Sequence, residues 1–393
     1  MRLILTSSLA AALMWLPAGP ASAGPPPRCH GEAATVVGTA GNDHLVGTDG
    51  PDVIVGLGGA DRIEGRGGDD VICGGANVGR GDRQTEGDDI DAGTGSDYID
   101  PGRDRRRVSA QGVGDVLRYS NAARPVHADL HLRTGIVSVG TDIDTIRVAQ
   151  GLWVLGSQHD DVIIGTRFDD DLEGNRGADL LRGGPGDDGL DELVGLFSRP
   201  DRDADRKEGG DGDDSLQATG GADVLDGGTG DDVLYEQGYD LAATMLGGSG
   251  DDDLLAWYDA DLGRVLDGGD GTDLLEVDNL SPDDPAGTAL VVDAAAGQVR
   301  TSVTTQAVLT VTGVERWRAA AAQQVVFLGT VGPDWVDARM VEQLSAQTFA
   351  GDDVVKGSSG RDTIDTGDGT DTVDGRGGLD TCVGAEVLRR CEG

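Results

Sequence analysis

The 393-residue sequence has little of what an ordinary globular core or an anion-binding surface requires. Aromatic residues make up 4% of it, so the large side chains that usually fill a core are scarce. There are two lysines, Lys207 and Lys356, and 31 basic residues in all against 71 acidic ones, a formal charge of −40. Phosphate binding needs clustered Lys and Arg, so nucleic acids and anionic membranes are excluded as natural partners and cations are favoured. No segment beyond Leu16 is apolar enough to cross a bilayer. A Gly-x-Ser-x-Gly elbow is missing, and no Lys follows the glycine-rich turns. Neither a lipase-like nucleophile nor a phosphate loop is therefore visible.

What is abundant is glycine, 66 residues, and aspartate, which supplies 59 of the acids against 12 Glu. Composition alone also suits a disordered acidic chain or a halophilic surface. The placement of the Asp residues decides between these.

Residues 1–23 carry Arg2, an apolar stretch from Leu3 to Leu16, and Ala21-Ser22-Ala23, which has the form of a signal-peptidase site. They read as a cleaved secretory signal; Ser7, Ser8, Pro17 and Pro20 interrupt the run and argue against a membrane anchor. The mature product is expected outside the cytoplasm, where its four cysteines favour disulfides. Of three connectivities, Cys29–Cys73 with Cys382–Cys391 is preferred, because both are local and each staples one end. A zinc site lacks the paired short Cys spacings and has five His in the whole chain to draw on.

At period nine from Gly38 the chain reads Gly-Thr-Ala-Gly-Asn-Asp43-His-Leu45-Val, then repeats with Asp52 and Ile54, Asp61 and Ile63, Asp70 and Ile72. The frame survives a degenerate unit at 74–82 and returns with Asp88/Ile90 and Asp97/Ile99. It reappears with Asp161, Asp170, Asp179 and Asp188, then Asp214, Asp223 and Asp232, with single units at Asp252 and Asp273. A last run carries Asp353, Asp362, Asp371 and Asp380. Nineteen units thus place an Asp sixth and an apolar residue, or Cys382, eighth.

This pattern resembles the hemolysin-type calcium-binding repeat of the RTX family, GGxGxDxUx, a β-helix repeat whose turns bind Ca²⁺. Gly in places one and four permits positive φ and close backbone approach. The Asp offers a hard oxygen ligand, and x-U-x forms a short strand with its central side chain inward. The resemblance implies an all-β parallel β-roll with two nonapeptides per coil and Ca²⁺ held between successive coils. It pairs Asp residues eighteen apart: Asp43 with Asp61, Asp52 with Asp70, Asp161 with Asp179, Asp170 with Asp188, Asp214 with Asp232, Asp353 with Asp371, and Asp362 with Asp380. Asp252 and Asp273 stand 21 apart, outside that register. Without Ca²⁺ the mature chain carries about −41, and like-charged turns repel, so metal binding and folding are expected to be coupled at ~10⁻⁴–10⁻³ M Ca²⁺.

The expected organisation is a repeat block at 24–100, a β-rich insert at 101–155, a block at 156–191, a charged loop at 192–208, a block at 209–276, a second insert at 277–345, and a final block at 346–393. The inserts hold alternating segments such as Val126-His-Ala-Asp-Leu130 and Gln324-Val-Val-Phe-Leu328, which read as strands that extend the roll. An Arg cluster runs from Arg103 to Arg107. His127 and His131 have a zincin's i, i+4 spacing, but Ala128 stands where the general base belongs. RTX repeats are often appended to secreted enzymes, yet neither insert has room for a usual catalytic domain. The reading is a secreted, extracellular, non-enzymatic Ca²⁺-binding roll with a structural or adhesive role. The alternative is a module that binds a protein or polysaccharide partner through an insert.

Overall fold

The computed structural model describes residues 25–76, 87–103, 114–191, 203–236, 243–257, 264–278, 288–302, 309–320 and 323–391. The secretory signal lies outside these residues, as does most of the Arg cluster and residues 192–202 of the charged loop. The last part of that loop, by contrast, is strand, within Arg206–Asp211.

Each nonapeptide folds as a six-residue turn followed by a short strand. The strands His44–Val46 and Arg62–Glu64 pair in parallel with Leu45 opposite Ile63, and Val53–Leu57 pairs with Val71–Gly75 with Ile54 opposite Ile72. Neighbouring rungs are thus eighteen residues apart, and alternate units feed two different sheets. Among the described residues one sheet has 16 strands, from His44–Val46 to Val387–Arg389, and the other has 20. Sixteen rungs at β spacing span roughly 70 Å.

The eighth-place side chains point between the sheets. Ile54, Ile63, Ile72, Ile163, Leu172, Leu216 and Leu254 are completely buried, and one continuous core cluster runs from Leu45 to Cys382. Stacked aliphatics fill this thin core, so it needs few aromatics; each buried Leu or Ile stabilises by about 1.5–3 kcal/mol.

Both inserts continue the stack by the same device. In the first, Val126–Asp129, Thr134–Val139 and Asp142–Arg147 form an antiparallel meander. Its last strand pairs in parallel with Tyr98–Gly102, and its first with Val162–Ile164. In the second, Ala289–Asp293, Gln298–Thr301 and Leu309–Thr312 form another. Here the last strand pairs with Arg264–Asp270 and the first with Gln324–Leu328. The chain therefore crosses each meander in reverse spatial order. The opposite sheet meanwhile advances by plain parallel rungs, such as Asp115–Arg118 beside Leu152–Leu155.

Two disulfides secure the ends. Cys29, on a strand hairpin formed by Arg28–Cys29 and Glu32–Ala33, bonds to Cys73 and packs with Val53 and Val55 on the outer face of the first coils. Cys382 takes an inward eighth place in the last coil and bonds to Cys391.

Candidate metal centres at the repeat turns

Every sixth-place Asp immediately precedes a strand, so stacking the strands stacks the carboxylates. The backbone N–H of one Asp donates to Oδ1 of the Asp one coil later: Asp43 to Asp61 at 2.8 Å, Asp52 to Asp70 at 2.8 Å, Asp161 to Asp179 at 2.7 Å and Asp170 to Asp188 at 2.7 Å. Asp214 to Asp232, Asp353 to Asp371 and Asp362 to Asp380 follow the same rule at 2.8, 2.8 and 2.9 Å. All seven pairs expected eighteen apart are thus brought together. Asp88 and Asp97 join their ladders, with Oδ1 accepting from Asp61 and Asp70 across 27 residues. Asp223 accepts from Asp205.

Asp252 and Asp273 depart from the sequence-based expectation. They stand in register: Asp232 donates to Asp252 at 2.8 Å and Asp252 to Asp273 at 2.9 Å. Their strands align with Leu254 opposite Leu275. The additional residues of this coil fall between Trp257 and Arg264, after one strand and before the next, so the turn itself keeps its phase.

Other rungs escaped the sequence reading. Asp115 accepts from Asp88, Asp144 from Asp97, and Asp205 from Asp179. Glu315 and Glu386 accept from Asp273 and Asp371, and Asp334 donates to Asp353. Asp334 had a legible signal, since Gly329 precedes it by five residues and Val336 follows in the eighth place. Asp205 did not, because its eighth place is Lys207, buried within the roll with Nζ donating to the Gln217 carbonyl at 2.5 Å. A search for Asp cannot find the two glutamates.

The second carboxylate oxygen carries the chemistry. In Asp61, Asp70, Asp97, Asp188, Asp214 and Asp232, each at most 2% exposed, Oδ2 is buried with no hydrogen-bond partner. Asp252, Asp273 and Asp380 have the same arrangement. The first-place glycine shows where these oxygens point. A methyl group on Gly227 would lie 2.3 Å from Asp232 Oδ2 and 2.5 Å from the Gly247 carbonyl oxygen, one coil on. On Gly56 it would lie 2.3 Å from both Asp61 Oδ2 and the Gly74 carbonyl oxygen. The first glycine is therefore required for space, and positive φ belongs to places two and four instead, as at Gly228 (+110°) and Gly230 (+130°).

Burial drives the carboxylates toward the neutral form. Asp97, Asp188 and Asp232 are pushed up to about 7 and Asp214 to about 8 by desolvation, which outweighs the backbone hydrogen bond each accepts; neighbouring carboxylates add to the rise. Asp61 and Asp70 rise to about 6 for the same first reason. A buried, unpartnered carboxylate oxygen converging on a carbonyl oxygen is a donor set that fits a cation. Both donors are hard oxygens in an irregular turn, which suits Ca²⁺ better than zinc or copper. Among the described residues no three His, Cys, Asp or Glu converge, so main-chain carbonyls must complete any shell. His127 and His131 make no such group either; His131 Nδ1 pairs with Asp129.

Two largely parallel sheets joined by stacked, glycine-rich, Asp-closed turns define a parallel β-roll. The RTX calcium-binding nonapeptide repeat matches this chain in four copies, at residues 37–72, 155–190, 208–235 and 347–382. The chain thus carries RTX-type nonapeptide repeats in these four stretches. The four matches omit the turns of Asp88, Asp97, Asp252 and Asp273, which the stack places on the same ladders. No curated protein matches the chain.

Proposed function

We propose that this chain is an extracellular, non-enzymatic β-roll that Ca²⁺ binding completes, and that it serves as a stiff structural or adhesive element. The observation that carries the reading is the row of buried, unpartnered Asp Oδ2 atoms, which at Asp61, Asp70, Asp214, Asp232 and Asp252 converge with a carbonyl oxygen of the following coil. Such oxygens, stacked along a chain of charge −40, repel one another, and a divalent ion between coils supplies both neutralisation and a cross-link. Disulfides at both ends and the secretory signal read in the sequence support an oxidising location outside the cell. There, millimolar Ca²⁺ fills sites of ~10⁻⁴–10⁻³ M affinity that stay empty in a cytoplasm.

The test is a titration of the chelated, disulfide-intact protein followed by far-UV circular dichroism and thermal melting. Ca²⁺ is expected to raise β content and Tm across 0.1 to a few millimolar, while Mg²⁺, which demands octahedral geometry, does much less. A melting curve unmoved by either ion would sink the reading.

A further inference from the structure

We propose that the turns are of two kinds, and that only one kind takes Ca²⁺; the other replaces the cation with a hydroxyl from its own second place and folds without metal. This rests on the calcium reading above and says which turns it applies to.

The first kind is the turn already described, seen at Asp61, Asp70, Asp97, Asp188, Asp214 and Asp232, with a buried Oδ2 that lacks a partner. In all six, places two and four both have positive φ, even where place two is Leu57 (+79°) or Arg66 (+78°). A bulky L-residue in that region is costly, by about 1–2 kcal/mol. Something in the turn must hold it there.

The second kind occurs at Asp43, Asp52, Asp161, Asp170, Asp334 and Asp362, where place two is Thr39, Thr48, Ser157, Thr166, Thr330 or Ser358. In each, the second-place N–H donates to the Asp Oδ2, at 2.6 Å from Thr48 to Asp52 and 2.8 Å from Ser358 to Asp362. The hydroxyl also donates to the carboxylate, Thr48 Oγ1 to Asp52 Oδ2 at 2.9 Å and Ser358 Oγ to Asp362 Oδ1 at 2.6 Å. It accepts in turn from the fourth-place N–H, as from Gly50 to Thr48 Oγ1 at 3.2 Å and from Gly360 to Ser358 Oγ at 3.0 Å. None of the second- and fourth-place residues in these six turns has positive φ. Place four therefore no longer needs glycine: it is His159 before Asp161 and Phe168 before Asp170.

Two independent features support this division. Where the ladders pass through the first insert, side chains again stand in for a cation, Tyr119 hydroxyl donating to Asp144 Oδ2 and Gln150 Nε2 to Asp115 Oδ2, both at 2.9 Å. Five of the six hydroxyl-closed turns also come first in their runs: Asp43 and Asp52 open the first coil, Asp161 and Asp170 follow the first meander, and Asp334 follows the second, while Asp362 comes after Asp353. Each such coil offers a metal-independent edge on which Ca²⁺-bound coils then stack.

The experiment counts bound Ca²⁺ on the full disulfide-intact chain, by equilibrium dialysis with atomic absorption at saturating Ca²⁺. Asp70→Asn, Asp188→Asn and Asp232→Asn are each expected to lose at least one ion per molecule, whereas Asp52→Asn, Asp170→Asn and Asp362→Asn keep the wild-type count. Thr48→Gly removes the hydroxyl donor to Asp52 Oδ2 and permits the positive φ of the first kind of turn, in which no second-place N–H reaches Oδ2, so it should gain one ion, a result that misfolding cannot imitate. Equal losses in both sets, or no gain in Thr48→Gly, overturn the division. A wild-type protein that binds no Ca²⁺ overturns the calcium reading itself.

Discussion

Replacing a fourth-place glycine by alanine should cost very different amounts in the two kinds of turn. At Gly230, in the turn of Asp232, φ is +130° and a methyl group would sit 2.0 Å from the Gly212 carbonyl oxygen. The backbone conformation costs an L-residue about 1–3 kcal/mol. Relieving a contact so far inside van der Waals distance adds about 1–3 kcal/mol, because the obstacle is backbone of the preceding coil and cannot swing away. The sum is about 2–6 kcal/mol. At Gly50, in the turn of Asp52, φ is not positive and no atom lies within 4 Å of the added methyl. Alanine there should be neutral or stabilise by about 0.4–1 kcal/mol through the unfolded chain. A chain of 393 residues unfolding as one unit has an entropy that converts 1 kcal/mol to about 1 °C of Tm. Melting Gly230→Ala and Gly50→Ala at saturating Ca²⁺ should therefore separate them by several degrees. If Gly50→Ala falls as far as Gly230→Ala, the two-turn geometry is wrong whatever the metal does.

Three further outcomes are expected. Leu216→Ala, at a completely buried eighth place, should cost about 2–5 kcal/mol in urea denaturation, and a loss below 1 kcal/mol would show that the core collapses freely around the gap. Without metal, stability should fall as pH rises from about 4 to 8. Asp97, Asp214 and Asp232 have folded pKa values of about 7, 8 and 7, above their unfolded values, so the folded state holds more protons in that window. The urea midpoint of dialysed, metal-free protein is the measurement, and a midpoint that climbs with pH would contradict the burial of these groups. Replacing both Cys29 and Cys73 by Ser opens a 44-residue link, worth about 4 kcal/mol by loop entropy. Limited proteolysis should then cut within residues 25–76 before it cuts the later coils.

Legibility followed the strength of the local signal. Asp43, Asp52, Asp61 and Asp70 were readable because turn, ligand and inward aliphatic recur at fixed spacing, and each needs a neighbour only one coil away. Asp252 and Asp273 were placed out of register because a count along the chain cannot tell an insertion inside a turn from one between strands. Glu315 and Glu386 take ladder positions that need only a carboxylate at the right height, a looser demand than the nine-residue frame. Lys207 hid Asp205 by breaking the apolar rule in the place where the rule identifies a unit. The hydroxyl-closed turns were written in the sequence as Thr or Ser at place two, but the meaning of that residue emerges only when its hydrogen bonds are seen.

The sequence by itself determined the parallel roll, the inward aliphatic rows and the stacked aspartates. All of these depend on short-range spacing, which a period of nine records directly. Tertiary structure alone decided how the inserts carry the stack on as one core: each antiparallel meander joins to the coils on either side in an order opposite to that of the chain. It also decided which carboxylate oxygens are left without a partner. That depends on whether place two of the same turn folds its N–H and hydroxyl onto the carboxylate four residues later, as Thr48 does onto Asp52, and residue order alone does not show that conformation.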